Sequence, residues 1–283
     1  MLNGRQNRSI SAVILEITSI FNLPVSVIFK KCIFEIETLQ INEKNNLNIT
    51  DNMNILITGG SKGIGLETAK VLSSDKANLI MITGRNEESL KNASHSASHE
   101  NIVYLKADIA QLHAESGRIF KEVSGIFSTL DILINNAGYL FPGTFETLSE
   151  KEIRMMMEVN YFGAAILIRL LLPLMHKGSH IVNISSMGGF QGSSKFPGLS
   201  GYSASKAAIA SLTECLAVEF AEKEISVNCL APGSVQTEMF NEAFPGYRAN
   251  LSPGEMGEFI AWFAVNGNRF FNGKILPVAF STP

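Results

Sequence analysis

The amino-acid sequence predicts a doubly wound α/β domain, a parallel sheet of about seven strands with helices on both faces. Three observations carry that prediction. From Met53 to the C-terminus, short apolar runs alternate with longer stretches of helical period. The runs are continuously apolar, as in Ile132-Leu133-Ile134, which suits strands covered on both sides. A glycine-rich turn directly follows the first run and opens the first helical stretch.

Strands are expected over 54–58, 79–83, 102–106, 132–135, 180–185, 226–230 and 275–278. Helices are expected near 64–73, 87–94, 114–127, 150–175, 203–222 and 253–265. Ser149 with Glu152 three residues on reads as a capping box opening the fourth helix. Strands separated by helices of this length imply right-handed βαβ units. In such sheets ligands bind beyond the carboxyl ends of the strands, at the switch point.

The bulk properties narrow the function. The chain has 283 residues, 46% hydrophobic and 17% charged, so it can bury a sizeable core. A net charge of -3 gives no electrostatic reason to bind nucleic acid or an anionic membrane. Cys32, Cys215 and Cys229 lie far apart, which predicts neither a disulfide framework nor a metal knuckle and fits a reducing, cytoplasmic compartment. His176 and His180 have no acidic or cysteine partner at metal-ligand spacing, and His95 and His99 sit in a polar loop, so no metal is expected. Met155-Met156-Met157 reads as packing.

Residues 1–52 differ in composition from the rest. The apolar run from Ile10 to Phe29 follows Arg5 and Arg8, but Glu16, Asn22 and Pro24 interrupt it and no small-residue cleavage site follows. These residues are expected to be an extension, disordered or upstream of a natural start at Met53. Residues 53–283 form the predicted dinucleotide-binding catalytic domain.

The turn Thr58-Gly59-Gly60-Ser61-Lys62-Gly63-Ile64-Gly65 carries the first chemistry. Glycine is required where φ turns positive or where backbone must approach a ligand closely. Unpaired N–H groups at the start of the next helix can then hold a pyrophosphate. After the second strand comes Thr83-Gly84-Arg85, with no acid to bond a ribose 2′-hydroxyl. Arg85 and Lys62 instead suit a 2′-phosphate. NADP(H) is therefore expected in preference to NAD(H).

Tyr202 and Lys206 are separated by one helical turn, which brings the ammonium beside the phenol. At about 4 Å and an effective dielectric near 20, a unit charge contributes roughly 4 kcal/mol. That corresponds to about three pKa units, enough to bring a phenol towards neutrality and let it exchange a proton with a carbonyl or alcohol.

Six segments in order, Thr58 to Gly65, Asn135-Asn136-Ala137-Gly138, Asn160, Ser185-Ser186, Tyr202 with Lys206, and Pro232-Gly233 with Thr237, make the chain resemble the short-chain dehydrogenase/reductase family, Rossmann-type in fold. The resemblance runs from Met53 to the C-terminus. It implies Tyr202 as acid/base, Lys206 as its modulator and a ligand of the nicotinamide ribose, and Ser186 rather than Ser185 on the substrate oxygen. Asn160 resembles the residue that holds a relay water. Asn136, Ala137 and Gly138 resemble the turn beside the adenosine ribose, and Asp108 the residue near the adenine. Val235 and Thr237, after the Pro232-Gly233 turn, resemble the residues that hold the carboxamide.

Two features depart from the pattern. Ser186 lies 16 residues before Tyr202, a longer interval than is usual in the family, filled by a Gly/Ser-rich segment. The last strand is not followed by a glycine pair. The implied activity is hydride transfer between NADP(H) and a small-molecule carbonyl or secondary alcohol, in a homodimer or homotetramer. The competing reading is a non-catalytic NADP(H)-binding redox sensor, which would have no need of Asn160, Ser186, Tyr202 or Lys206. The segment from Met239 to Ser252, with Phe240, Phe244, Tyr247 and Arg248, is expected to cover a pocket for an apolar or aromatic carbonyl, or an acyl chain with an anionic end.

Overall fold

A computed structural model of the chain describes residues 52–97 and 99–279. The expected extension up to residue 51, and Cys32 within it, lies outside the described residues. One compact unit spans Asn52–Pro283.

Its elements in chain order are β1 (Asn54–Thr58), α1 (Gly63–Ser73), β2 (Leu79–Gly84), α2 (Glu87–His95), β3 (Ile102–Lys106), α3 (Leu112–Ile126) and β4 (Leu130–Asn135). The second half continues with α4 (Glu150–Met157), α5 (Ala164–Leu171), β5 (Met175–Ile184), α6 (Ser200–Glu219), β6 (Ser226–Pro232), α7 (Glu238–Ala243), α8 (Pro253–Asn266) and β7 (Ile275–Val278). The seven strands form one parallel sheet in the order β3-β2-β1-β4-β5-β6-β7. The order reverses between β1 and β4, so their carboxyl ends open a crevice.

The period of two along each strand builds two cores. Ile55, Ile57, Ile80, Ile82, Ile132 and Ile134 face Leu72 of α1, Leu90 of α2 and Ile260 and Phe263 of α8. Leu56, Met81, Leu133, Ile181 and Val227 face Ile119 and Val123 of α3, Leu167 and Leu171 of α5, and Ala217 of α6. Gly257 lets α8 press on α1, since a Cβ there would stand 2.8 Å from the Thr68 backbone nitrogen.

Three elements differ from expectation. β5 begins at Met175, five residues earlier than expected, through the polar stretch His176-Lys177-Gly178-Ser179, where no apolar pattern marks a strand. The helix expected over 150–175 is interrupted by a π-helical turn at Glu158–Gly163 between α4 and α5. Residues 238–243 form a short helix capped by Thr237, whose hydroxyl accepts a hydrogen bond from the Phe240 amide. Ser149 and Glu152 make the expected capping box, and Ser252 and Glu255 make a second one at α8. Among the described residues, the stretch Glu150–Leu174 is long and apolar enough to cross a membrane. Its Leu167, Ile168 and Leu171 are buried against the sheet.

Candidate active site

The carboxyl ends of the strands line a cleft of about 1060 Å³. At one end lies the glycine turn. Gly59 and Gly63 have φ of +67° and +59°, a left-handed backbone that favours glycine. A Cβ at Gly65 would stand 2.5 Å from the Gly59 carbonyl oxygen and 2.4 Å from Nδ2 of Asn136. The turn is thus closed on itself by the lack of side chains. α1 begins at its end with no acid in the first turn and no side-chain cap, leaving N–H groups and the positive end of the helix dipole for an anion.

β4 and β1 hold this turn in place. Asn136 Nδ2 donates to the Thr58 and Gly59 carbonyls at 3.0 and 3.2 Å, and the Ala137 amide donates to the Thr58 hydroxyl at 2.9 Å. The Asn136 side chain is therefore committed to the glycine turn, while Gly59, Ser61, Lys62, Gly63, Ile64, Asn136, Ala137 and Gly138 line the cleft. Arg85 lies exposed on its wall after β2, and Asp108 after β3 accepts a hydrogen bond from the Ala110 amide at 3.1 Å. Lys62 is ion-paired with Glu238 of α7 across the cleft mouth, a partner the sequence did not indicate. These features together fit a dinucleotide: a glycine cradle, a helix start free of acids, and a cation, Arg85, at the end of β2.

At the other end lies the second group. Lys206 is 4% exposed, donates to the Ile184 carbonyl at 2.8 Å, and holds its Nζ 5.9 Å from the centre of the Tyr202 ring. Ser186 and Tyr202 line the same stretch of the cleft. Ser185, buried beneath it, donates to the Lys206 carbonyl at 2.6 Å and so ties β5 to α6. Asn160 sits in the π-helical turn, with its Oδ1 accepting from the Tyr139 amide at 2.7 Å. Its Nδ2 donates to the Tyr139 carbonyl and to the Ser205 hydroxyl at 2.8 and 2.9 Å. A Cβ on Gly138 would be 3.4 Å from Lys206 Nζ and 3.5 Å from Asn160 Oδ1, so this residue packs beside both groups. π-Helical turns recur at functional sites, where they re-aim a side chain.

The electrostatics correct one expectation. Burial pushes the Tyr202 phenol up to about 12, opposed by the hydrogen bond from Ser186. Burial also pulls the Lys206 ammonium down to about 8. The Lys206 charge alone would draw the phenol towards neutrality, but the cost of placing a phenolate out of water outweighs it. Both groups hold their protons at neutral pH.

After β6, the Gly233 amide donates to the Val278 carbonyl at 2.9 Å and the Met187 amide to the Pro232 carbonyl at 2.9 Å. Pro232, Gly233, Val235 and Thr237 all border the cleft. Phe240 and Phe244 of the α7 segment line it too, with Tyr247 72% exposed at the rim beside Arg248. Sequence reasoning missed the supports beneath. Asn135 Nδ2 donates to Asn183 Oδ1 at 2.8 Å, and Asn183 Nδ2 to the Thr213 hydroxyl at 2.9 Å, a buried polar chain from β4 through β5 to α6. Asparagines inside apolar strands are the signal that could have revealed it. His176, read as having no acidic partner at metal-ligand spacing, lies 2.8 Å from Asp131, distant in sequence; no metal-binding cluster is found among the described residues.

The sequence family described as short chain dehydrogenase matches residues 53–248. Dehydrogenase/reductase SDR family member 7B of Xenopus tropicalis is 36% identical over 210 residues, 69% of this chain and 65% of that protein, just under two thirds of its length. A 3-oxoacyl-(acyl-carrier-protein) reductase of Chlamydia muridarum is 30% identical over 244 residues, 80% of this chain and 96% of that one. A solved dehydrogenase/reductase from Sinorhizobium meliloti superposes with a TM-score of 0.69 at 27% identity, covering 80% of this chain and 93% of the other. The match over most of the chain, on a sheet and cleft of this form, makes it a member of the short-chain dehydrogenase/reductase family, oxidoreductases that work with a nicotinamide cofactor.

Proposed function

We propose that this chain interconverts a small-molecule ketone and its secondary alcohol with NADP(H), Tyr202 moving the proton, and that its resting state is poised for reduction. The supporting observation is that Tyr202, Ser186 and Lys206 share one cleft with the glycine cradle.

Bound there, the cofactor supplies or accepts a hydride at its nicotinamide ring. The backbone of Gly59, Gly63 and Gly65 would hold the pyrophosphate, and Arg85 with Lys62 would hold a 2′-phosphate. Asp108 would hold the adenine end, and Val235 with Thr237 the nicotinamide end. Tyr202, neutral at rest, donates its proton to the carbonyl oxygen. The Ser186 hydroxyl hydrogen-bonds the same oxygen as negative charge develops on it. Lys206, protonated below about 8, stabilises the phenolate left behind. Proton transfer of this kind contributes about 10²- to 10⁴-fold.

Phe240, Phe244 and Leu140 give the cleft an apolar wall, and Arg248 a cation at its rim. We assign the substrate as an apolar or aromatic ketone, or an acyl chain with an anionic end. The name of the Chlamydia relative, a reductase of a 3-oxoacyl group, is consistent with the second. We further propose a cytoplasmic homodimer or homotetramer, a reading supported by the exposed free thiol of Cys215 and the exposed Phe162 and Val218.

A panel of ketones and 3-oxoacyl thioesters, assayed side by side with NADPH and NADH, tests the proposal. Faster turnover with NADPH on at least one ketone supports it. No turnover of any carbonyl, with NADPH bound, would overturn it.

A further inference from the structure

The segment between Ser186 and Tyr202, where the chain departs from its family's spacing, is organised around Lys195. Its ammonium donates to the Gly188 carbonyl at 2.8 Å, the Phe190 carbonyl at 2.7 Å and the Ser193 hydroxyl at 2.9 Å. An ammonium has three donors, so these acceptors use all of them. The Ser193 hydroxyl is itself directed at the Met187 and Phe190 carbonyls. The carbonyls of the turn thus converge on Lys195 and Ser193.

The amides of the same turn point the other way. Gly188 N–H donates to the Ser186 hydroxyl oxygen at 3.2 Å, and Gly189 and Phe190 N–H donate to the Ser186 carbonyl at 2.9 and 3.1 Å. The peptide joining Gly188 and Gly189 therefore has its oxygen on Lys195 and its N–H on the Ser186 carbonyl. The peptide joining Met187 and Gly188 has its oxygen on the Lys195-bound Ser193 hydroxyl and its N–H on the Ser186 hydroxyl. Hydrogen bonds in such a series polarise one another. The turn also lies flat on α6, since a Cβ at Gly188 would be 2.9 Å from the Ser203 hydroxyl and one at Gly189 2.5 Å from the Lys206 carbonyl carbon. The Gly188 amide thus occupies one lone pair of the Ser186 hydroxyl, whose oxygen borders the cleft.

We propose that Lys195 is a positioning residue for Ser186, holding the 187–193 turn so that its amides orient the Ser186 hydroxyl as a donor to the substrate oxygen. The inference rests on the carbonyl-reductase reading for its catalytic consequence, but not for the ordering of the turn. Lys195 touches neither substrate nor reacting atoms; it acts through the turn.

The test combines Lys195→Met, Lys195→Arg and Ser186→Ala in the full chain. Amide hydrogen exchange over 187–193, measured without substrate, should rise about tenfold in Lys195→Met and less in Lys195→Arg. Turnover of a ketone should fall about tenfold in Lys195→Met, with the NADPH dissociation constant within twofold of wild type. Adding Lys195→Met to Ser186→Ala should cost less than twofold more, because the two act through one hydroxyl. Unchanged exchange in the turn, or full additivity of the two substitutions, would overturn the proposal. A rise in exchange spread across the whole domain would overturn it too, since that marks a general structural role. A wild type that turns over no ketone would instead contradict the reductase reading, and the exchange result would still decide the role of Lys195 in the turn.

Discussion

Asn160 donates a hydrogen bond to the Ser205 hydroxyl at 2.9 Å, joining the π-helical turn to the helix that carries Tyr202 and Lys206. Ser205 in turn donates to the Tyr202 carbonyl at 2.7 Å, one turn back along α6. The loop at Tyr139, the interrupted helix and α6 are thereby fixed to one another through two side chains. Ser205→Ala leaves the Asn160 amide without that acceptor in a buried site, a loss of about 1–3 kcal/mol. Thermal or urea denaturation should show a loss in that range, with turnover reduced more than NADPH affinity.

The pH dependence of reduction follows from Lys206. Its charge is present below about 8 and is lost as pH rises through that value. The rate of ketone reduction at saturating cofactor should therefore fall above about pH 8. A pH–rate profile checks this, and Lys206→Met should flatten the alkaline limb while lowering the whole curve.

Stability in acid depends on His180. Its ring is buried in β5, with Nδ1 2.9 Å from the Ala264 carbonyl and Nε2 3.0 Å from Asn228 Nδ2. Burial pulls it from 6.5 down to about 4. The neutral ring is the folded form, so the unfolded chain binds the extra proton between these values. Stability is then full above pH 6.5 and falls towards pH 4. The slope is about 1.4 kcal/mol per pH unit from this group. Denaturant unfolding at a series of pH values should show it, and His180→Gln should remove it while lowering stability throughout.

The proposed preference for NADP(H) rests on charge at the end of β2 and in the glycine turn. Arg85→Ala should weaken NADPH binding by about tenfold or more, the scale of one charge-assisted hydrogen bond, with little effect on NADH. Glu238→Gln should act in the opposite direction, because it releases Lys62 from its ion pair. Titration calorimetry with both cofactors measures the two effects.

The sheet was legible in the sequence because its strands are continuously apolar and each is followed by a distinctive turn. The cleft was legible for the same reason: Gly59, Asn136 and Gly233 come directly after strands, and Ser186 two residues after one. The π-helical turn was not, since neither proline nor glycine marks its start at Glu158. The start of β5 escaped notice because residues 176–179 are polar and the first three are exposed. The roles of Asn183, Thr213 and Ser205 depend on pairings across distant parts of the chain, which no local pattern encodes. The phenol was misjudged for a different reason: spacing reveals a neighbouring charge but not the loss of water around it.

Replacement of Tyr202 by Phe tests the central claim most directly, because it removes one hydroxyl and keeps the ring beneath Lys206. Single-turnover reduction of a ketone by NADPH-loaded protein should slow by at least about a hundredfold, within the range for proton transfer by a positioned side chain. NADPH affinity should stay within a few-fold of wild type. A near-normal rate in Tyr202→Phe would contradict proton donation by that phenol.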